Sequence, residues 1–409
     1  MFLSKIFELK NYYFEKCKNF NINIFISPLY ILIALIFLPF LFIYKKIRDV
    51  DIVYIDTSRI GHFVIDSSRY LALSEKLKRN LLIVGQKKNC SNFYFYYKVK
   101  SLNNFSSNFL YCSVFFLINT FNLNINLSKI KKRYKFDDWK LFESFNLIKF
   151  NDKEKKDGDD ILNKDFGIKK NEKFVCLLVR DGKYLNDASS DYEYRNYDIN
   201  LFFDACVQLN NLGYKVIRMG NCTEKKLNET GSIIDYSHSK VKSDFLDFYI
   251  LSKCEFAIST TFGLDTIPFI FNKPVGYLSL GLGFIYLGKK NAIYLPTKFK
   301  YFNGQPVKLI EMFSKKIAFS NHKSDFNKMH VKPVSVMSKD IKNFVIECHE
   351  LFFLKKKKNY NKKATKKFWE IFERNYPNKI YNKLYNSNKF ERNCEISFNF
   401  INENKNILF

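Results

Sequence analysis

Several side chains suited to a phosphate-bearing ligand directly follow, or end, short apolar runs in this sequence. Apolar runs of about four to eight residues bounded by polar ones are typical of buried parallel strands. In an open parallel sheet, ligands bind outside the carboxyl ends of the strands, so these positions are candidate ligand contacts. Four runs lead in this way to Arg59, Gly61 and His62, to Arg180 and Asp181, to Arg218, and to Ser259, Thr260, Thr261, Gly263 and Asp265.

Arginine and hydroxyl side chains suit a diphosphate. The planar guanidinium of Arg180 donates two parallel hydrogen bonds to phosphate oxygens, a geometry that lysine lacks. Gly263 allows a sharp turn before a short predicted helix, so that backbone N–H groups face an anion. The alternatives are structural. Arg180 would pair with Asp181 or Asp244. The hydroxyl loop would be a simple turn with a helix cap, and the helix dipole would favour Asp265.

His62 is the candidate catalytic residue. An imidazole changes protonation near neutral pH, so it can act as a general base towards an attacking hydroxyl. A histidine with a surface or structural role is the alternative. Residues 157–160 resemble a metal-binding Asp-x-Asp, but they lie in a wholly polar segment, and we interpret them as solvated charge. The sequence has no glycine-rich dinucleotide motif and no P-loop, which disfavours NAD and Walker-type nucleotide sites.

The elements that position these residues form two α/β halves. In the first half, a strand at 51–56, a helix at 66–78 and a strand at 81–84 make a βαβ unit, which implies a parallel sheet. A wholly polar run, 151–160, is interpreted as the linker to the second half. The tail from about residue 338 is predicted to be helical.

The second half repeats the alternation of strand and helix. Its predicted strands are 174–179, 215–218, 255–258 and 274–277, and its predicted helices run from Asp198 to about Asn211 and from about Ser243 to Leu251. We therefore predict an α/β protein with two Rossmann-like domains facing a cleft. The predicted divisions are 1–48 for an N-terminal segment, 49–160 and 161–310 for the two domains, and 311–409 for a helical extension.

An apolar segment near the N-terminus predicts membrane attachment. No charged residue occurs between Lys18 and Lys45, and residues 24–44 are almost wholly apolar and long enough to cross a bilayer as a helix. No small-residue cleavage site follows, so we expect a retained anchor rather than a removed signal peptide. The anchor would be a spanning helix or a hairpin in one leaflet. A buried hydrophobic helix is the alternative.

The chain is strongly basic, with 67 Lys and Arg against 40 Asp and Glu, a net charge of +27. Because Lys, Asn, Ile and Phe are all abundant, as in proteins from AT-rich genomes, we interpret much of this charge as solvated surface lysine. It also favours an anionic membrane surface or phosphorylated ligands. The nine cysteines form no C-x-x-C pair, which indicates free thiols in a reducing compartment and no zinc site.

A set of short motifs is spread over nearly the whole chain. The motifs are Ser58–His62, Val179–Asp181, Tyr194–Asp198, Gly213–Gly220, Ile234–Tyr236, Ser243–Asp247, Cys254, Ile258–Asp265, Lys367–Trp369 and Ser397–Asn404. Together they resemble a bacterial family of two-Rossmann-domain (GT-B-like) glycosyltransferases associated with surface-polysaccharide synthesis. The central motifs are specific as a set, whereas each one alone is weak.

The resemblance implies transfer of a sugar from a nucleotide-linked donor to a glycan or lipid-linked acceptor, with no metal and no other cofactor. In heptosyltransferase-like members, a Gly-Asp pair after the first strand supplies the catalytic base, and Gly61 and His62 take the comparable place here. In fucosyltransferase-like members, an arginine after a central strand holds the donor diphosphate. Arg180 matches that arginine, but Leu178 replaces the usual histidine two residues earlier.

The resemblance also assigns the two halves. Residues 49–160 would bind the acceptor and residues 161–310 the nucleotide sugar. The donor residues would be those already named from Arg180 to Asp265. The residues expected on the acceptor side or in the cleft are Arg59, Gly61, Arg195, Asn196 and Asp244.

We expect the catalytic domains in the cytoplasm at the inner membrane, where sugar nucleotides occur, with an anionic membrane surface as a partner and no nucleic acid. The alternative function is a non-catalytic basic protein that binds a membrane surface or nucleic acid. A glycan hydrolase is less favoured, because it would need two carboxylates in one site and no such pair stands out at the strand ends.

Overall fold

A computed structural model describes most of the chain, which divides into two compact units, residues 1–132 and 133–409. Each unit has its own parallel sheet. The described residues are 27–102, 105–120, 127–128, 148–183, 191–221, 223–356, 362–376 and 392–408.

The first unit is built on a three-stranded parallel sheet in the order β1-β2-β3. The predicted βαβ unit is present, although its helix begins six residues earlier than expected, directly after the loop that carries Arg59. The elements of this unit are α1 (Ser27–Arg48), β1 (Val50–Tyr54), α2 (Ile60–Leu77), β2 (Asn80–Val84), α3 (Phe93–Ser101), β3 (Phe105–Ser106) and α4 (Phe109–Thr120).

The expected membrane-spanning helix is not found. In the described part of the chain, no helix is long and apolar enough to cross a bilayer. The first residues of the predicted anchor, 24–26, lie outside the described residues, and α1 begins at Ser27. One face of α1 packs into the core of the unit, where Ala34 and Leu41 are buried and Phe37 meets Tyr111 of α4 edge to face.

The second unit has a seven-stranded sheet, all of it parallel, in the order β12-β9-β8-β7-β4-β5-β6. The α/β prediction is confirmed. The strands are β4 (Phe174–Leu178), β5 (Lys215–Met219), β6 (Ile233–Ile234), β7 (Phe256–Ser259), β8 (Val275–Leu280), β9 (Ala292–Pro296) and β12 (Glu395–Ile396). A separate antiparallel pair is formed by β10 (Lys298–Tyr301) and β11 (Val331–Val334).

The helices of the second unit follow the predicted alternation as far as β8. They are α5 (Asp152–Lys164), α6 (Phe203–Asn211), α7 (Asp244–Lys253), α8 (Thr266–Ile270), α9 (Leu309–Ser314), α10 (Lys323–Lys328), α11 (Ser338–Phe352), α12 (Lys363–Asn375), α13 (Phe398–Glu403) and α14 (Lys405–Leu408). Asp198 caps a 3-10 turn, Ile199–Phe202, that leads into α6. Gly213, with a φ of 85°, ends the α6 segment as its glycine predicts.

Burial explains why β4 is an interior strand of this sheet. All five of its residues are buried, as expected for a strand covered on both faces and hydrogen-bonded to β5 and β7 on its two edges. The run Phe174–Leu178 has no polar side chain. Burying it on both faces therefore leaves no side chain in need of a hydrogen-bond partner, and the free-energy cost of burial is small.

The polar run 151–160 is not a linker. It forms most of α5, which begins with a reciprocal cap: the Asn151 side chain accepts from the Glu154 N–H, and the Glu154 carboxylate accepts from the Asn151 N–H. Gly158 faces the ring of Tyr249, where a Cβ would come within 2.4 Å of the ring carbons. The charges therefore lie on the solvent side of a helix packed against α7.

The described part of the C-terminal segment is largely helical, as predicted, and it also completes the sheet. β12 pairs with the edge strand β9, and the Ser397 N–H donates to the carbonyl oxygen of Tyr294 at 2.8 Å. The buried carboxylate of Glu347, on α11, accepts from the Ser397 hydroxyl at 2.6 Å and from the N–H of Phe398. The same hydroxyl caps α13 by accepting from the Phe400 N–H.

We predict that Glu347→Gln destabilises the protein by about 2 kcal/mol, because the amide keeps the shape but loses charge-assisted hydrogen bonds in a buried setting. Urea unfolding followed by circular dichroism measures the change. Glu350→Gln, one turn further along the same helix, is the control because its partner Lys356 is exposed and the pair is solvent-screened. Equal destabilisation by the two variants would contradict the role given to Glu347.

Candidate functional site

The strand order of the second unit fixes where a ligand binds. From β4 the chain proceeds outward through β5 and β6, then returns to the other side of β4 and proceeds through β7, β8 and β9. This is the 3-2-1-4-5-6 order of doubly wound sheets, which bind ligands where the direction reverses, outside the carboxyl ends of the two central strands. In this chain the reversal point lies between β4 and β7.

The residues predicted after these two strands meet at the reversal point. The Arg180 N–H, directly past β4, donates to the Thr260 hydroxyl at 2.8 Å. The Thr260 N–H donates in turn to the carbonyl oxygen of Leu178 at 2.9 Å. The two loops are therefore joined through backbone and side chain, and their shape is set together.

The loop after β7 has a constrained backbone. Thr261 has a φ of 62°, a left-handed conformation that is rare for a β-branched residue. Two hydrogen bonds hold it: its N–H donates to the Ser259 hydroxyl at 2.9 Å, and its carbonyl oxygen accepts from the Arg195 guanidinium. The Arg195 Nη2 also lies 3.3 Å from the Thr261 hydroxyl. Arg195 thus contacts the loop after β7.

The segment 191–197 lies beside Arg180. The Arg180 Nη1 donates to the carbonyl oxygen of Tyr192 at 3.3 Å, and its guanidinium carbon lies 5.9 Å from the centre of the Tyr192 ring. The Tyr197 N–H donates to the Arg180 carbonyl oxygen at 2.9 Å. Asn196 packs on Gly182, where a Cβ would come within 3.0 Å of its Nδ2. This segment therefore contacts Arg180 after β4 and, through Arg195, the loop after β7.

Asp265 places a carboxyl group against these cations. It accepts from the Ser259 hydroxyl at 3.0 Å and ends the 3-10 turn Gly263–Asp265 that precedes α8. Burial raises the pKa of Asp265 to about 7, while the hydrogen bond from Ser259 and the nearby charge of Arg195 act in the opposite direction. The carboxyl group is therefore poised to be neutral or charged near physiological pH.

Arg218 and Asp181 form a supporting network. Arg218 is only 1% exposed, and its guanidinium lies 3.2 Å from the Asp235 carboxylate and 3.7 Å from that of Asp181. Asp181 also accepts from the N–H groups of Lys183 and Glu224. These contacts tie the loop after β4 to the loop after β5. The structure places Arg218 beneath the strand ends and not at their surface.

Asp244 stands in the first turn of α7, which Ser243 caps by accepting from the Leu246 N–H. This agrees with the preference for carboxylates at helix N-termini.

In the first unit, His62 lies in the first turn of α2, after β1 and the loop that carries Arg59. Its side chain is 58% exposed, and its Nδ1 lies 3.7 Å from the carboxylate of Asp66, one turn further along α2. Gly61 precedes it in the same turn. The Asp66 carboxylate thus lies beside one nitrogen of an exposed imidazole ring.

Sequence reasoning missed several residues near these strand ends. Asp66 carried a signal, its i+4 spacing from His62. Two other residues carried no sequence signal, because loops bring them to the strand ends. The Tyr197 hydroxyl donates to Ser279, and the His238 Nε2 lies 2.8 Å from the Thr223 hydroxyl. In the part of the chain that is described, no three His, Cys, Asp or Glu side chains are grouped as metal ligands would be.

Comparison with known proteins gives structural neighbours only. No protein-family model and no curated protein matches the chain. Among solved structures, E. coli ADP-heptose LPS heptosyltransferase II is 9% identical with a TM-score of 0.41, covering 73% of this chain and 98% of that one. A glycosyl transferase family 9 protein from Veillonella parvula is 11% identical with a TM-score of 0.44, covering 75% and 97%.

A third neighbour is E. coli heptosyltransferase WaaC with ADP-2-deoxy-2-fluoro heptose, 9% identical with a TM-score of 0.28, covering 73% of this chain and 72% of that one. At such low identity and structural similarity, function has to be argued from the strand order and the contacts described above.

Asp265 generates a prediction about pH. Its pKa is about 7 in the folded protein against an ordinary value of 3.8, so the folded state binds the proton more tightly than the unfolded state. Stability is therefore lost as the pH rises from about 4 to about 7, and the loss is complete above that range. Asp265→Asn cannot ionise. The free energy of unfolding of this variant, minus that of the wild type, should increase from about pH 5 to about pH 7 and then stay constant.

Urea unfolding at a series of pH values measures this difference. Asp157→Asn, on the exposed side of α5, reports the general effect of losing one carboxylate. A difference between Asp265→Asn and wild type that does not vary with pH would contradict the raised pKa.

Proposed function

We propose that the protein is a glycosyltransferase that moves a sugar from a nucleotide-linked donor to a glycan or lipid-linked acceptor. The observation that carries this proposal is the meeting of Arg180, Arg195 and the Ser259–Thr261 hydroxyls at the reversal point of a doubly wound sheet. Two guanidinium groups and several hydroxyls at this position match a diphosphate, the part common to most sugar nucleotides.

In the proposed reaction, the bond between the sugar and the diphosphate breaks, and negative charge builds on the leaving diphosphate. Arg180 and Arg195 stabilise that charge from fixed positions, so the reaction proceeds without a metal ion. Asp265 would repel the diphosphate if ionised. Its raised pKa and its hydrogen bond from Ser259 reduce that repulsion near neutral pH.

The acceptor hydroxyl attacks the sugar carbon and must lose a proton. We propose His62 as the group that takes this proton, on its Nε2. The carboxylate of Asp66, 3.7 Å from Nδ1, lies on the other side of the ring from the proposed proton-accepting nitrogen. We further propose that the acceptor belongs to surface-polysaccharide synthesis and that the reaction occurs on the cytoplasmic side of the inner membrane, where sugar nucleotides are made.

The first test is thermal stabilisation by a panel of UDP-, GDP-, ADP- and CMP-sugars. We expect one nucleotide class to raise the melting temperature, because a ligand that binds only the folded state stabilises it. Arg180→Ala and Arg195→Ala should abolish that shift and lower turnover by at least about 100-fold. Circular dichroism establishes that each variant is folded.

Arg374→Ala is the control, because Arg374 is exposed on α12 and far along the chain from the strand ends. Undiminished stabilisation by the nucleotide in Arg180→Ala would remove that residue from the donor site. Salt-sensitive binding to DNA or RNA, together with no response to any sugar nucleotide, would favour the non-catalytic basic protein instead.

For the base, we predict that His62→Gln lowers turnover by about 100- to 1000-fold while leaving donor binding unchanged. Asp66→Asn should have a smaller effect, because it changes the group beside Nδ1 without removing the imidazole. His330→Asn, at an exposed position whose backbone suits asparagine, is the control. Unchanged turnover in His62→Gln would exclude His62 from the mechanism.

A further inference from the structure

Helix α1 presents an apolar face to solvent. Its exposed side chains include eight large apolar or aromatic ones, a concentration that no other described helix approaches. Positions three and four apart lie on one side of a helix, so these side chains form a continuous face about 20 Å long. We call it the α1 outer face; it consists of Leu32, Leu35, Ile36, Phe40, Phe42, Ile43, Tyr44 and Ile47.

The opposite side of α1 is already occupied. Ala34 and Leu41 are buried in the core of the first unit, and Phe37 and Leu38 pack against the same core. Packing among the described residues of this unit therefore does not account for the α1 outer face. Exposed apolar patches of this kind on soluble domains mark surfaces that bind a partner or a membrane.

Charge indicates the kind of partner. Helix α1 has no acidic residue, and its three charged residues, Lys45, Lys46 and Arg48, are all basic and lie in its last turn. By helical spacing Lys46 lies on the same side as the apolar face, where it is placed to meet lipid phosphates while the apolar side chains enter the acyl region. The last turn also suits basic residues through the helix dipole, but that effect gives no reason for the apolar face.

We propose that the α1 outer face docks on the surface of an anionic lipid bilayer, with the helix lying in the plane of the membrane and not across it. The apolar side chains would enter the boundary between headgroups and acyl chains, about 5–10 Å deep. A second copy of the chain is the competing occupant. It would bring a second net charge of +27 to the face, whereas an anionic bilayer brings the opposite charge.

The test is co-sedimentation of the full chain with vesicles of phosphatidylcholine alone or of phosphatidylcholine with phosphatidylglycerol. We expect binding to the anionic vesicles, weakened by added salt. Ile43→Asp places a charge in the middle of the α1 outer face and should weaken binding by more than about tenfold. Ile310→Asp is the matched control, because Ile310 lies on α9 in the other unit and both isoleucines are 56% exposed.

The basic end is tested by Lys46→Glu, which should reduce the preference for anionic vesicles by about tenfold. Lys76→Glu, on the exposed side of α2, is its control. Ile43→Asp that binds vesicles as the wild type does would overturn the proposal. So would a dimer in light scattering that Ile43→Asp dissociates while no variant binds lipid. Equal binding of the wild type to both vesicle types would overturn the choice of an anionic surface.

Discussion

The reversal of strand order between β4 and β7 is the constraint on which the rest of the second unit depends. Parallel strands that leave a central strand in opposite directions cannot be covered by one connection, so a crevice opens at their carboxyl ends. The hydrogen bond from the Arg180 N–H to the Thr260 hydroxyl ties the two sides of that crevice together. Every other polar contact at the site is arranged around this link.

Two layers of polar residues follow from this constraint. Arg180, Arg195 and the hydroxyl loop lie at the strand ends, where a ligand would meet them. Arg218 and Asp181 lie beneath or beside them and hold the neighbouring loops in place. Arginine side chains are thus both the proposed ligand contacts and a structural support of the loops in this site. The carboxylates of Asp235 and Asp181 hold the supporting arginine, Arg218, in place.

Much of the fold was readable from the sequence because its strands are short apolar runs with clear ends. The runs at 174–179, 215–218, 255–258 and 274–277 correspond to β4, β5, β7 and β8. β12 was not predicted, because a strand of two residues is too short to show an apolar run or an alternation in the sequence. The wholly polar composition of segment 151–160 predicts a linker, whereas the structure has a helix there. The sequence signal for this helix is the cap formed by Asn151 and Glu154. Strand order depends on pairing between distant residues, so local patterns alone do not specify it.

The site was predicted in part for the same reason. Residues that directly follow a strand, such as Arg180 and Thr260, were found because the strand marks them. The burial of Arg218 depends on Asp235, which lies in a later loop, and no local pattern reveals it. Arg195 is predicted on the acceptor side or in the cleft, and the structure shows that it contacts Thr261, beside the proposed donor site.

The pairing of β12 with β9 has a consequence for synthesis of the chain. About a hundred residues separate the two strands, so the edge of β9 stays open on the ribosome until residues 395–408 have emerged. An unpaired strand edge is a template for pairing with another chain. The nascent protein therefore passes through a stage in which most of its sheet has formed but the edge of β9 can still pair with another chain.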